Sequence, residues 1–265
     1  MPHYEPPAGC LKGRAVLVTG AGDGLGRAAA LAYGRYGAEV ILLGKTVTKL
    51  EAVYDEILRL DGPEPAVYPL DLVGATARDY HDLAENVRDQ VGHLDGILHN
   101  AAVLEILTPL EVHPLDDWDQ TFRANVTAPF LLTQACLPLL KAAQDSAVIF
   151  TSDECAVTPK GYWGAYGASK AALNNMAFMW AQELGNTSIR VNVLDPGPVR
   201  TGMRLRTHPG AVLSSWPLPD ALMPAYVYLM GPDGVNHRGQ LIQAQDWIDE
   251  SVDDRQGGLC DKNFR

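Results

Sequence analysis

Cysteine is scarce in this chain of 265 residues: Cys10, Cys136, Cys155 and Cys260 stand far apart, with no C-x-x-C spacing. Neither a zinc knuckle nor a disulfide framework is supported. Basic residues are also few, 21 Lys and Arg against 32 Asp and Glu, a formal net charge of -11. The averaged field therefore repels phosphate backbones and anionic lipid, so neither nucleic acid nor a membrane surface is an expected partner. Nowhere does the chain offer the roughly 18 uninterrupted apolar residues that suit a membrane span. Met1 to Arg14, with Pro2, Pro6 and Pro7, carries no apolar block ahead of a cleavage site, so a cytoplasmic location is expected. Fixed-period repeats, low-complexity tracts and internal linkers are missing too. What is present is 47% hydrophobic and 20% charged residues, enough apolar material for one large core.

Ala15 to Thr19 is a short β-branched run that ends in a glycine cluster, and Arg27 to Tyr36 then reads as a helix. Glu39 to Leu43 repeats the strand pattern, while Leu50, Val53, Ile57 and Leu60 recur at helical intervals within Lys49 to Leu60. Further strands are expected at Val67 to Leu70, Gly96 to Leu98, Ala147 to Phe150, Arg190 to Leu194 and Gln240 to Gln243. Helices are expected between them at Tyr80 to Val91, Trp118 to Leu140, Ala165 to Leu184 and Ala221 to Met230. Each parallel neighbour requires a crossover, so this alternation predicts an α/β fold, a doubly wound parallel sheet covered on both faces. A single domain spanning 1–265 is expected, with its core at about 13–246 and an acidic C-terminal tail at 247–265. Asp246, Asp249, Glu250, Asp253 and Asp254 crowd that end, which reads as solvated or weakly ordered, the alternative being packing on a neighbouring subunit.

Thr19-Gly20-Ala21-Gly22-Asp23-Gly24-Leu25-Gly26 lies between the first strand and the first helix. A helix N-terminus there offers free N–H groups and a positive dipole end to a pyrophosphate, and glycines let the backbone approach it. The spacing is G-x-x-x-G-x-G rather than G-x-G-x-x-G, and by itself it also describes an ordinary tight βα turn. At the end of the second strand, where an NAD site usually supplies an acid for the ribose 2′-hydroxyl, the chain reads Gly44-Lys45-Thr46. Lys45 in place of a carboxylate favours NADP over NAD, with NAD as the alternative, since Asp23 nearby is not what a 2′-phosphate prefers.

Tyr166 and Lys170 stand four apart near the start of a helix, so both project from one face. An adjacent ammonium stabilises a phenolate and lowers the tyrosine pKa, which would let Tyr166 move a proton near neutral pH. Taken with the glycine turn, Asp71-Leu72, Asn100-Ala101, Asn125, Tyr166-Gly167-Ala168-Ser169-Lys170, Pro196-Gly197 and Thr201, the chain resembles the short-chain dehydrogenase/reductase family from about Gly13 to Ala244. The resemblance implies a Rossmann-like three-layer sandwich, NAD(P)-dependent hydride transfer between a carbonyl and an alcohol, and a homodimer or homotetramer. It further implies Tyr166 as general acid/base, Lys170 as its partner and holder of the nicotinamide ribose, and Asn125 as the anchor of a water joining Lys170 to solvent. In that frame Gly20, Gly22, Asp23, Gly24, Leu25 and Gly26 meet the pyrophosphate side, and Asp71 and Leu72 the adenine. Asn100 and Ala101 meet the adenosine ribose, and Pro196, Gly197, Val199 and Thr201 the carboxamide. No metal is implied.

The family's substrate-facing serine stands thirteen residues before the tyrosine, a position held here by Asp153. Ser152, one step away, is the expected substitute if the loop after the strand takes up a bulge. In the rival assignment Asp153 occupies the place, where a carboxylate opposes a developing alkoxide unless it is protonated. Ala102 stands where the family often has glycine. Cys155, with no histidine at base spacing, reads as a small buried apolar residue. Gly202 to Asp220 resembles a short substrate lid, with Met203, Leu205, Val212 and Trp216 as its apolar side and Arg204 and Arg206 either solvated or set for an anionic substrate. The two long helices at Trp118 to Leu140 and Ala165 to Leu184 carry apolar residues on more than one face, as a subunit interface requires. Besides an oxidoreductase, the residues allow a nucleotide-binding regulatory or scaffold protein, or a lyase or epimerase using the same Tyr-Lys pair.

Overall fold

The apolar runs become seven strands: β1 (Ala15–Thr19), β2 (Glu39–Gly44), β3 (Ala66–Pro69), β4 (Gly96–His99), β5 (Ser146–Thr151), β6 (Ile189–Asp195) and β7 (Leu241–Gln243). The computed structural model describes residues 4–248, so the acidic run from Asp249 to Asp254 lies outside the described residues. All seven strands join one parallel sheet in the order β3-β2-β1-β4-β5-β6-β7. Side chains alternate along each strand, and both faces are buried. On β1, Val16 and Val18 enter one apolar layer with Ala28, Leu50 and Tyr226, while Leu17 enters the other with Tyr80, Leu132 and Leu173. The helices that supply those partners are α1 (Gly24–Arg35), α2 (Val47–Arg59) and α8 (Met223–Met230) on the first face, and α3 (Ala77–Gln90), α5 (Ala128–Ala142) and α6 (Gly164–Glu183) on the second. Two shorter helices, α4 (Leu115–Phe122) and α7 (Gly202–Thr207), complete the α-helices of the described residues.

Several boundaries differ from the sequence expectation, each for a local reason. Helix α1 starts at Gly24, not Arg27, because the Asp23 side chain accepts the Gly24 N–H at 2.8 Å and caps it. Helix α3 starts at Ala77 rather than Tyr80, closed by a capping box between Thr76 and Asp79. The expected single helix from Trp118 to Leu140 is α4 and α5 joined by a π turn at Arg123–Thr127, where the Ala128 N–H reaches back to Arg123 O. Part of the lid is helical, as α7.

A buried ionic knot joins three strands. Arg190 on β6 is fully buried and donates to both Asp145 oxygens, at 2.8 and 3.1 Å, and to the carbonyls of Leu229 and Gly231. Arg14, just before β1, donates to the same carboxylate at 3.1 Å. Burial pushes the Asp145 pKa up, but the two guanidinium groups outweigh it and hold it below the usual carboxylate range. Strand order reverses between β1 and β4, so the loops leaving their C-terminal ends part there and open a crevice. Among the described residues, no helix is long and apolar enough to cross a membrane.

Candidate active site

The crevice is a cleft of about 720 Å³ that runs from Lys45, Thr46, Asp71 and Leu72 past the glycine turn to Ser152, Asp153, Tyr166, Lys170, Pro196 and Gly197. Its floor is set by Thr19 at the end of β1. The Thr19 hydroxyl accepts the N–H groups of Asn100 and Ala101, both at 3.0 Å, and so ties the β4 loop to the glycine turn. Gly20 has φ +68 there, and Gly26 packs so closely that a Cβ would stand 2.2 Å from Gly20 O and 2.6 Å from Asn100 Nδ2. The start of α1 thus borders the cleft, which Gly22, Asp23, Gly24 and Leu25 line.

At the far end, Lys45 is exposed, and Asp71 spends one oxygen on the Val73 N–H at 3.1 Å. Lys49, which the sequence pattern does not place in the site, pairs with Asp23 at 2.5 Å and lines the same end of the cleft. That pairing leads the causes that lower the Asp23 pKa, and it neutralises the carboxylate that counts against a 2′-phosphate.

At the chemical end, the loop after β5 turns through Ser152 and Asp153. Ser152 Oγ donates to the backbone O of Asp153 at 3.5 Å, whereas the Asp153 carboxylate stands 3.5 Å from the Tyr166 hydroxyl. The second Asp153 oxygen accepts the Cys155 N–H at 3.0 Å, which caps a turn of 3-10 helix and fixes the carboxylate's direction. Ser152 and Asp153 both line the cleft, and of the two it is the Asp153 carboxylate that stands within 3.5 Å of the Tyr166 hydroxyl. Cys155 is buried, and desolvation with the nearby Asp153 charge raises its pKa, so the thiol stays protonated, in line with a packing role.

Tyr166 and Lys170 share one face of α6, as their spacing requires, but the expected lowering of the phenol pKa is not found. Burial and the Asp153 charge hold Tyr166 well above the ordinary tyrosine value. The Lys170 ammonium lies 5.7 Å from the tyrosine ring centroid and donates to Thr151 O at 2.7 Å, so it crosses the ring face and does not reach the oxygen. Burial lowers the Lys170 pKa. Asn125 lies in the π turn with its amide fully engaged: Oδ1 accepts Val103 N–H at 2.7 Å, and Nδ2 donates to Val103 O and to Ser169 Oγ. It therefore ties the loop after β4 to α6.

The loop after β6 is held by a residue that the sequence pattern does not single out. Gln245 Nε2 donates to the carbonyls of Pro196 and Pro198, at 3.1 and 2.7 Å, from a segment 47 to 49 positions away. Gly197, with φ +62, takes the turn between them. Val199 is buried behind it, and the Thr201 hydroxyl caps α7 through the Arg204 N–H. Met203 and Arg204 of the lid line the cleft, but Leu205 and Val212 are exposed, so the apolar inner surface is smaller than expected. Trp163 and Leu104, also not evident from the sequence, complete that surface beside Tyr166. Arg204 lies over the Trp216 ring at 5.9 Å, and His208 bridges Trp163 and Trp216, which gives the lid an aromatic seam.

This arrangement, a glycine-capped dinucleotide-sized cleft that ends at a tyrosine and a lysine, is matched by known proteins. The family model described as short chain dehydrogenase matches residues 14–210. The uncharacterized oxidoreductase YciK of Escherichia coli is 39% identical over 243 residues, covering 92% of this chain and 96% of its own. A short chain dehydrogenase structure from Pseudomonas syringae superposes with TM-score 0.90 at 44% identity, covering 92% of this chain and 100% of that one. One from Shigella flexneri, complexed with NADP, does so with TM-score 0.88 at 38% identity, covering 90% and 100%. With sequence, sheet order and cleft in agreement over most of its length, the chain belongs to the short chain dehydrogenase family.

Proposed function

We propose that the protein is an NADP-dependent reductase that moves a hydride between a nicotinamide and a small polar double bond or its reduced form, a carbonyl and its alcohol being the class the family implies. The observation that carries this reading is the continuity of one cleft from Lys45 to the Tyr166–Lys170 pair. The residues fit a dinucleotide: the α1 N-terminus suits a pyrophosphate, and the cleft volume falls within the range of about 300–1,000 Å³ usual for small-molecule sites. When bound, the reduced nicotinamide supplies the hydride. The Tyr166 hydroxyl supplies the proton, and Lys170 and Asn125 hold the surrounding backbone and ribose side in register. Burial and Asp153 keep the phenol in its protonated form, the form that gives a proton in the reductive step. Lys45, beside an Asp23 already neutralised by Lys49, supports NADP over NAD. The Shigella flexneri relative is complexed with NADP, in agreement with that choice.

The test is a fluorescence titration with NADPH and NADH, followed by turnover with a substrate panel. Tyr166→Phe should lower turnover by about 10²–10⁴-fold with dinucleotide affinity retained. Lys45→Ala should weaken NADPH binding by about tenfold, worth about 1.4 kcal/mol, and leave NADH alone. Unchanged turnover in Tyr166→Phe overturns the catalytic reading. The family also implies a homodimer or homotetramer. The exposed Phe130 of α5, stacked on Trp180 of α6, with exposed Met179 beside it, supports pairing through these helices, which light scattering would test.

A further inference from the structure

The reading above leaves the substrate open, and Asp153 bears on it. Beside the phenol, where a reacting heteroatom must sit to take the Tyr166 proton, the protein presents a carboxylate in place of a neutral hydroxyl donor. The carboxylate is fixed by the Cys155 N–H, and the hydroxyl of the preceding Ser152 is buried and turned to the Asp153 carbonyl. Of the cations that line the cleft, Lys170 donates to Thr151 O while standing in the field of Asp153, and Arg204 lies over the Trp216 ring; among the described residues neither these nor Arg206 forms an ion pair with the Asp153 carboxylate.

We infer that the site is built to reduce a protonated carbon–nitrogen double bond, an iminium, whose N–H donates to Asp153, in preference to a ketone. This rests on the hydride-transfer reading and deepens it. A ketone that accepts hydride develops negative charge on oxygen, and repulsion from the Asp153 carboxylate grows toward the transition state. An iminium meets the opposite field. The carboxylate keeps its nitrogen protonated, which is the form that accepts hydride. The attraction weakens as the charge is consumed but persists as the N–H hydrogen bond. The step balances: a hydride from the reduced nicotinamide dinucleotide forms a C–H bond at the iminium carbon, and the C=N π pair becomes the nitrogen lone pair. A neutral amine and the oxidised dinucleotide result, and the amine then takes the Tyr166 proton, which solvent replaces, so that it leaves as the ammonium. The apolar walls formed by Leu104, Trp163 and Met203 suit a compact cyclic skeleton around that nitrogen.

The experiment compares a five- or six-membered cyclic imine with the cyclic ketone of the same size, using NADPH and the full-length protein. It also titrates the matching cyclic secondary ammonium onto the protein with NADP bound, by calorimetry. In wild type kcat/KM for the imine should exceed that for the ketone by at least about tenfold, and the ratio should fall by at least about tenfold in Asp153→Ser. Ammonium binding should be saturable and at least about tenfold weaker in Asp153→Asn, which keeps the cap to Cys155 and removes the charge. A wild-type preference for the ketone, or ammonium binding indifferent to Asp153→Asn, overturns the inference while leaving the reductase reading in place. Failure to bind either dinucleotide removes that reading, and the inference with it.

Discussion

His99 shows how one buried side chain sets acid sensitivity. It ends β4, stacks on Phe150 at 4.6 Å and shares a hydrogen bond with the Thr133 hydroxyl at 2.8 Å, fully enclosed. Desolvation lowers its pKa to about 3, against an ordinary value of 6.5 in the unfolded chain. Between those values the unfolded chain binds the extra proton and the folded one does not. Stability therefore falls as pH drops from about 6.5 to about 3, by about 1.4 kcal/mol per pH unit, and this group adds no dependence above that window. His99→Phe should flatten that slope, read as a smaller gap between urea midpoints measured at about pH 7.5 and about pH 5. An unchanged gap would assign the acid sensitivity to other groups. At the same scale, Asp23 was legible as a member of the glycine turn, but its ion pair was not, because Lys49 reaches it from the next helix.

At the scale of elements, the βα turn after β1 depends on contact between backbones. Gly26 lies in the first turn of α1 with no room for a methyl group, since its nearest neighbours are the Gly20 carbonyl and the Asn100 amide. Gly26→Ala should cost about 1–3 kcal/mol through strain and loosen the dinucleotide turn. A thermal melt and an NADPH titration would read both losses, and a variant equal to wild type in each would exclude the close-approach account. The glycine spacing marked this turn in the sequence, but only the Asp23 cap shows that the glycines begin the helix. The π turn at Arg123–Thr127 was hidden in an unbroken helical pattern, because its cause is remote: Asn125 must reach Val103 and Ser169 at once.

For the whole molecule, the Arg190–Asp145–Arg14 knot fastens β6, the approach to β5 and the start of β1 to the end of α8. Asp145→Ala should destabilise the protein by about 3–5 kcal/mol, because it leaves the buried Arg190 guanidinium without a counter-charge. Guanidinium denaturation would measure it, and a loss under about 1 kcal/mol would show that the carbonyls of Leu229 and Gly231 suffice alone. Because the Asp145 pKa is held below its unfolded value, this contribution is present above the ordinary carboxylate range and is lost as pH falls through the depressed folded value.

The alternation of apolar strands and periodic helices was enough to specify a doubly wound parallel sheet, since both patterns are local and a parallel pair has few ways to connect. The glycine turn and the Tyr166–Lys170 spacing were legible for the same reason: each is written within about two helical turns. Which group faces the phenol, what neutralises Asp23, and which residue braces Pro196 and Pro198 were decided by the tertiary structure. Asp153 stands beside the phenol in the direction that the Cys155 amide imposes, and Gln245 meets its partners from a segment 47 to 49 positions away. Charge and direction at such points depend on which distant surfaces the fold brings within about 3 Å of each other, and no local pattern in the chain encodes that distance.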